Sequence, residues 1–413
     1  MSNLKKSITI IGINYYPEDT AIGLYTSQLA NYFNENNIEV NVITGFPYYP
    51  AWRIQEDYTS KNTFLVENIN GISVYRYKQY VPKKPTFFSR ILHLLDFSFG
   101  SFVNILKIKE TDVVLCVVPF IGSVFLGKIL SKIKKAKLWI HIQDFEFDAV
   151  SDSNLVQNKT NKNVIFRGLF WIEKKLLKSA DLLSTISSSM ISKLQKKVKS
   201  EEKCTRLLPN WADSNFIKPQ AYKTHKYLAS LKFKILYSGN IGEKQDWEFF
   251  IKFVKELESI EDIEIIVVGN GSKRIWLEEK LLDLNNIFFY NPVKYSELSN
   301  LLCSADLHIL FQKTNVIDTV MPSKILAMMS SKKPSLITGN KKSEVSSIIQ
   351  ESKSGKYFET KDVSEVLEFV HQLKSDSSLQ DEYGNNARKF VSEKFSKTNI
   401  LNQFIDTFNK LLE

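Results

Sequence analysis

The chain alternates short β-branched apolar runs with longer segments whose apolar residues recur every three or four positions, the pattern of strands buried between helices. Ser7 to Ile13 is the first such run, and Leu24, Leu29, Ala30 and Phe33 mark a helix after Gly23. Ile38 to Thr44 predicts the next strand, so the chain opens with a βαβ unit of the kind that builds parallel sheets. Further strands are expected at Asp112 to Val118, in the run that starts at Lys137, and from Ala180 to about Ser187. Helices are expected through Leu130 and over Leu169 to Ser179. The series restarts at Phe233 and continues with Ile263 to Val268, Ile287 to Tyr290 and Ala305 to Leu310. The turn residues and prolines between Pro209 and Pro219 separate the two series.

The expected architecture is therefore α/β, with two Rossmann-like domains facing across a cleft. The domains are placed at 1–208 and 223–385, joined by a linker at 209–222. A C-terminal helical segment, 386–413, is expected to pack back on the first domain.

In such sheets ligands gather where the carboxyl ends of the strands meet the loops. The first loop, Gly12-Ile-Asn-Tyr-Tyr-Pro17 and on to Gly23, spaces its glycines too widely for a dinucleotide fingerprint, which disfavours a nicotinamide dehydrogenase. The second loop, Gly45-Phe-Pro-Tyr-Tyr-Pro-Ala-Trp-Arg53, is aromatic; it reads first as a packed hydrophobic loop and next as a surface that stacks on sugar rings or covers lipid. His141 and Asp144 follow the strand at Lys137, in a place suited to hydroxyl contacts, to acid or base work, or to capping the strand end. Asp144, Glu146 and Asp148 alternate, but no second ligand cluster accompanies them, so no metal site is expected.

In the second series, Gly239, Asn240 and Gly242 form a glycine loop carrying Lys244, a ready phosphate partner, and Gly269 to Arg274 repeats the theme. Between Asp318 and Asn340, Pro322 and Ser323 suit a helix start. Ile325, Leu326, Met328 and Met329 give that helix its apolar face, and Lys333-Pro334 ends it ahead of the strand Ser335 to Thr338. Lys324 in its first turn is unfavourable against the helix dipole unless an anion sits there too.

At 413 residues, 43% apolar and 24% charged, the chain has the composition of a soluble globular protein. Three widely spaced cysteines, Cys116, Cys204 and Cys303, argue for a reducing, cytoplasmic setting and against a disulfide framework. No signal-peptide pattern is found, nor any run of about twenty uncharged apolar residues. A net charge of +10 favours anionic partners, but no nucleic-acid signature accompanies it, so nucleic acid is not an expected partner. The apolar segment 83–109, interrupted by Arg90, His93 and Asp96, is compatible with a helix lying on an anionic membrane surface and equally with a buried helix.

Taken together, Gly12 to Pro17, Ile22-Gly-Leu-Tyr25, His141-Ile-Gln-Asp144, Leu208-Pro-Asn-Trp211, Tyr237-Ser-Gly-Asn-Ile-Gly242 and Pro322-Ser-Lys324 resemble family-4 glycosyltransferases of the GT-B fold. The resemblance spans nearly the whole chain and is closest to the fucosyl- and N-acetylfucosaminyl-transferases of capsule, O-antigen and colanic-acid assembly. It implies a retaining, metal-independent enzyme without a cofactor, which moves a sugar from a UDP or GDP donor to a lipid-linked or saccharide acceptor. The cysteine pattern and the segment 83–109 together lead to the expectation of a cytoplasmic protein, peripheral at the inner face of the membrane. By the same resemblance, the loop Gly239 to Lys244 and the loop ending at Pro322 surround the diphosphate, with Ser323 at the helix start beside it; Asp318 is a donor-binding candidate to which the family's glutamate contacts do not carry over. Asn291, Val293 and Lys294 lie near the base, and Gly23 closes over the phosphates. Two departures stand out: Asn240 occupies the place of an expected arginine, and Asp318 or Thr319 with Ala327 replace a pair of glutamates. Lys324 becomes the candidate for the missing positive charge beside Lys244. A nucleotide-sugar binder without turnover and a UDP-sugar epimerase are the alternatives.

Overall fold

The computed structural model describes residues 5–19, 21–84, 86–118, 121–145, 161–198, 205–315, 324–359 and 362–413. The chain forms two Rossmann-like units, Met1–Pro209 with Leu401–Glu413, and Asn210–Ile400. Asp318, Pro322, Ser323, Glu146, Asp148 and Cys204 lie outside the described residues.

The first unit is built on β1 (Ser7–Ile11), β2 (Glu39–Gly45), β3 (Phe64–Ile69), β4 (Ile72–Tyr77), β5 (Val113–Val118), β6 (Lys137–Ile142), β7 (Leu182–Thr185) and β8 (Thr205–Leu207). They lie in the order β3-β4-β2-β1-β5-β6-β7-β8. Every pairing is parallel except β3 with β4. That hairpin is absent from the elements expected from the pattern; it turns on Asn70 and Gly71, whose φ of 53° and 85° suit a tight two-residue connection.

Its helices are α1 (Ala21–Glu35), α2 (Glu56–Thr59), α3 (Phe87–Gly100), α4 (Phe102–Ile105), α5 (Ile121–Lys134), α6 (Asn161–Leu177) and α7 (Ser188–Val198). Two glycines let helices approach the sheet closely. A Cβ at Gly100 of α3 would fall 2.0 Å from the Tyr77 ring, and one at Gly127 of α5 would fall 2.1 Å from Cys116 Sγ. Cys116 and Cys303 are buried free thiols.

The second unit contains β9 (Phe233–Ser238), β10 (Ile263–Val268), β11 (Ile287–Tyr290), β12 (Leu307–Phe311), β13 (Ser335–Thr338) and β14 (Gly355–Phe358). The order is β11-β10-β9-β12-β13-β14, all parallel. Strand order reverses at β9, flanked by β10 and β12, the kind of switch point where α/β sheets bind ligands. The helices are α8 (Trp247–Glu256), α9 (Arg274–Lys280), α10 (Leu298–Cys303), α11 (Lys324–Ser330), α12 (Glu344–Ser352), α13 (Val363–Ser375), α14 (Ser377–Lys394) and α15 (Lys397–Leu412).

The unit boundary falls inside α15. Its Phe408 meets Phe33 of α1 at 5.7 Å, and its Phe404 stacks on Trp139 of β6 at 5.7 Å. No described helix is long and apolar enough to cross a membrane.

Candidate functional site

In the second unit the sheet edge is organised by Tyr237, the penultimate residue of β9. Its buried phenol donates to the Asn240 carbonyl at 2.6 Å, and burial pushes its pKa well above the usual phenol range. Because the hydroxyl hydrogen is spent on Asn240, the oxygen is left to accept. Lys324 Nζ donates to it at 3.2 Å and lies 4.4 Å from the ring centroid, an ammonium against an aromatic face.

Gly239 lies against that lysine. Its φ of 144° is open to glycine, and a Cβ there would sit 3.4 Å from Lys324 Nζ. Burial lowers the pKa of the lysine from its ordinary value to about 7.

The position of Lys324 is held from below. Ile325, Leu326, Met328 and Met329 are buried, so α11 cannot roll, and Arg388 of α14 donates to the Ser330 carbonyl at 2.7 Å at the helix's far end. A cation on the last carbonyls of a helix is favourable in sign as well as geometry.

The loop that carries Gly239, Asn240, Gly242 and Lys244 is fixed backbone to backbone. Gly239 N–H donates to the Val268 carbonyl at 2.9 Å, and Ile241 N–H to Asn270 at 2.9 Å. Asp246 N–H donates to Phe311 at 3.0 Å, and Lys313 N–H to the Lys244 carbonyl at 3.2 Å. Gly269 allows the contact: a Cβ there would fall 1.9 Å from the Gly239 carbonyl oxygen. Trp247 Nε1 donates to the Gly242 carbonyl at 2.7 Å, and the Asp246 carboxylate caps α8 by accepting from Phe249 N–H.

Lys244 is thus held at the carboxyl end of β12 with its side chain exposed, while Lys324 packs over Gly239 at the end of β9. Both candidate cations belong to one sheet edge. Gly269→Ala should push the two loops apart, lowering the melting temperature of this unit; a variant melting like wild type would show that the loops are free to part.

Asn291, Val293 and Lys294 follow β11 on the flank of the same edge. Asn291 and Lys294 are exposed, and Val293 packs on the core around Leu236 and Ile266. Arg274 ties that flank to the centre by donating to the Gly269 and Tyr290 carbonyls. Ala327, in place of an expected glutamate, packs on the same core and brings no carboxylate.

In the first unit, sequence patterning missed the group that joins the loops. Glu18, 3% exposed, accepts from Tyr48 N–H at 2.8 Å, Tyr49 N–H at 2.7 Å and Asn14 Nδ2 at 2.8 Å. Desolvation raises its pKa against the lowering effect of those bonds. It also packs on Gly23, where a Cβ would come within 2.9 Å of Glu18 Cβ. The glycine turn ahead of α1 and the aromatic loop after β2 are thereby clamped to one carboxyl group. In that aromatic loop Tyr48 and Trp52 contact the His93 ring at 4.6 and 5.6 Å, and the Arg90 guanidinium lies over Trp52 at 5.1 Å. The acidic pair Glu18-Asp19, directly after the aromatic Tyr15-Tyr16-Pro17, was the available signal.

His141 is not placed for proton transfer. It lies within β6, 2% exposed, with Nδ1 at 2.9 Å from Ser184 Oγ, Nε2 at 3.0 Å from Gln143 Nε2, and the Phe404 ring across it at 5.2 Å. Burial holds its pKa down to about 3, so the ring is neutral and enclosed, a strut between β6 and β7. Asp144 is half-buried just past the end of β6. Among the described residues, no group of three or more His, Cys, Asp or Glu side chains is placed to hold a metal ion.

A family model described as glycosyl transferases group 1 matches residues 223–390. Over 97% of its length the chain is 31% identical to WcaI of Escherichia coli K12, named as a glycosyl transferase of colanic acid biosynthesis, and the match covers 98% of that relative. Sucrose-phosphate synthase of Thermosynechococcus elongatus is similar in structure, with a TM-score of 0.73, 13% identity, and coverage of 98% of this chain and 99% of that one. Anabaena HepE in complex with UDP gives a TM-score of 0.65 at 13% identity, covering 98% of this chain and 100% of that one. The structural likenesses bear on the fold, and the near full-length identity to WcaI carries the family. The chain belongs to the group 1 glycosyl transferases, of GT-B fold.

Proposed function

We propose that this glycosyltransferase moves a sugar, with retention of anomeric configuration and without a metal, from a UDP or GDP donor to a lipid-linked or saccharide acceptor in surface polysaccharide assembly. The sugar class proposed is a fucose-type deoxyhexose, on the motif resemblance. The reading is supported by the solved relative HepE, which carries UDP, and by the name of WcaI. The observation that carries it is Lys324 seated over Gly239 and Tyr237, on the sheet edge that also bears Lys244.

In the proposed reaction the bond between the anomeric carbon and the diphosphate oxygen breaks as the acceptor hydroxyl oxygen bonds to that carbon. The acceptor proton passes to the departing phosphate, so no side-chain nucleophile is required. Negative charge grows on the diphosphate, and Lys244 and Lys324 are the fixed cations that would stabilise it. Asn291, Val293 and Lys294 would face the base, and the aromatic loop clamped by Glu18 would meet the acceptor, with Asp144 near it.

A transfer assay over a panel of UDP- and GDP-sugars, run with and without EDTA, tests the reading. Turnover to an acceptor that persists in EDTA supports it; release of an altered sugar with no acceptor present would instead identify an epimerase.

The ionisation of Lys324 sets a pH dependence. Its pKa near 7 in the free protein should rise when an anionic diphosphate binds, so affinity is level below pH 7 and falls by about tenfold per unit above it, until the pKa of the complex is reached. Binding near pH 8 then takes up a proton. Calorimetry in two buffers of different ionisation enthalpy reads that uptake, and equal heats in both would contradict it.

A further inference from the structure

Of the twenty-two exposed large apolar side chains among the described residues, eleven lie on α3, α4 with the residue after it, α5 and α6. On α3 and α4 they form a stripe at intervals of four and three residues: Phe88, Leu92, Leu95, Phe99, Phe102 and Leu106. Phe88, Phe99 and Leu106 are 75%, 72% and 66% exposed. The opposite face of the same segment, with Leu94, Phe97, Ile105 and Ile108, is buried, so the outward stripe is a second apolar face rather than a core face turned out. α5, packed between α3 and α6, adds Phe125 and Ile133, and α6 adds Trp171, whose ring carries the Lys175 ammonium at 3.8 Å.

We propose that this helical layer is a lipid-docking face that seats the first unit on an anionic bilayer. Charge argues for that occupant. Residues 83–109, 121–134 and 170–178 contain eleven lysines and arginines and two carboxylates. Both carboxylates are engaged internally: Asp96 accepts from Tyr80 N–H and from the Tyr77 hydroxyl, and Glu173 is paired with Lys197 at 2.8 Å. A second copy of the chain would bring the same basic face against itself, since a two-fold interface pairs one patch with its own twin, and like charges would oppose each other. Exposed apolar side chains on segments that also carry exposed lysines suit the boundary between acyl chains and acidic headgroups. Gly100 and Gly127, which hold α3 and α5 tightly on the sheet, fix the orientation of the face.

The proposal deepens the lipid-linked acceptor reading above, but its test does not require transfer. Wild-type protein should sediment with vesicles of phosphatidylcholine containing about 30% phosphatidylglycerol, at least about tenfold more strongly than with phosphatidylcholine alone, and salt should weaken it. The double variant Phe99→Glu with Leu106→Glu, both exposed positions, should keep the wild-type melting temperature and its transfer to a soluble acceptor while losing about tenfold in vesicle binding. Wild-type protein left in the supernatant with anionic vesicles, or a double variant that sediments as well as wild type, would overturn it. So would a homodimer in solution that the double variant dissolves. Loss of transfer with vesicle binding intact would count against the enzymatic reading alone.

Discussion

Lys324→Met is expected to lower kcat/KM for sugar transfer by about 100- to 1,000-fold, about 2.7 to 4 kcal/mol of transition-state stabilisation, while the protein remains folded. The size follows from what the ammonium does: it is fixed in advance by Tyr237 and α11, so it needs no reorganisation as charge develops on the leaving diphosphate. Folding should not suffer, because methionine keeps an unbranched apolar stem on the Tyr237 ring and removes a cation that burial disfavours. The sign of that second effect can be checked. A lysine with a folded pKa near 7 and an unfolded one of about 10.4 depresses stability most at and below pH 7, and the penalty fades as pH rises toward the unfolded value. The gain in melting temperature of the methionine variant should therefore be largest near neutral or acid pH and shrink toward pH 10. Steady-state kinetics with a saturating acceptor measure the first effect. Unchanged kcat/KM would remove Lys324 from the site.

Glu18→Ala should be the most damaging single change in the first unit, at about 2 to 4 kcal/mol of stability, because it strips the acceptor from two backbone N–H groups and a side-chain amide at once. Glu18→Gln should recover most of this, since an amide oxygen can still accept from Tyr48 and Tyr49. The pair also separates packing from charge. A carboxyl whose folded pKa is raised contributes stability that is present below about pH 4.3 and is lost as pH rises through the folded pKa. Glu18→Gln should consequently gain on wild type as pH rises above about 4.3, where the carboxyl starts to ionise in the unfolded chain. With the aromatic loop released, Glu18→Ala should raise KM for the acceptor more than it weakens donor binding, to which the loosened Gly23 turn is the only contribution expected from this unit. A donor affinity that falls as far as acceptor affinity would show a general collapse rather than a loosened loop. Urea titration of both variants, with donor and acceptor measured separately, decides between these outcomes.

Much of the fold was legible in the chain because parallel strands buried on both faces read as continuous β-branched runs. Ile263 to Val268 and Ile287 to Tyr290 occur where that pattern places them. The β3–β4 hairpin escaped it because β3, at the sheet edge, alternates exposed with half-buried positions and β4 alternates buried with half-buried ones, so neither is a continuous buried run, although Asn70-Gly71 marked the turn.

The glycines at 239 and 269 could be read as sites of close backbone approach, but not which backbone they approach: residue 269 lies against residue 239 through strand order, a long-range property. His141 looked like an edge residue from the polar groups that follow it. What encloses it, Phe404, comes from the far end of the chain and leaves no local trace. In the segment 83–109 one face of the helices is buried and the other exposed, a division that its apolar content alone could not reveal. Glu18 shows the converse failure: its importance lies in three donors gathered from two loops, which no spacing along the chain encodes.

The most direct test compares the binding of a nucleoside diphosphate with that of the bare nucleoside, in wild-type protein and in Lys324→Met, by calorimetry at about pH 6.5, where the lysine is mostly charged. The account predicts that the variant loses at least about tenfold in affinity for the diphosphate and nothing for the nucleoside. Equal losses for both ligands, or a diphosphate affinity left untouched, would contradict it.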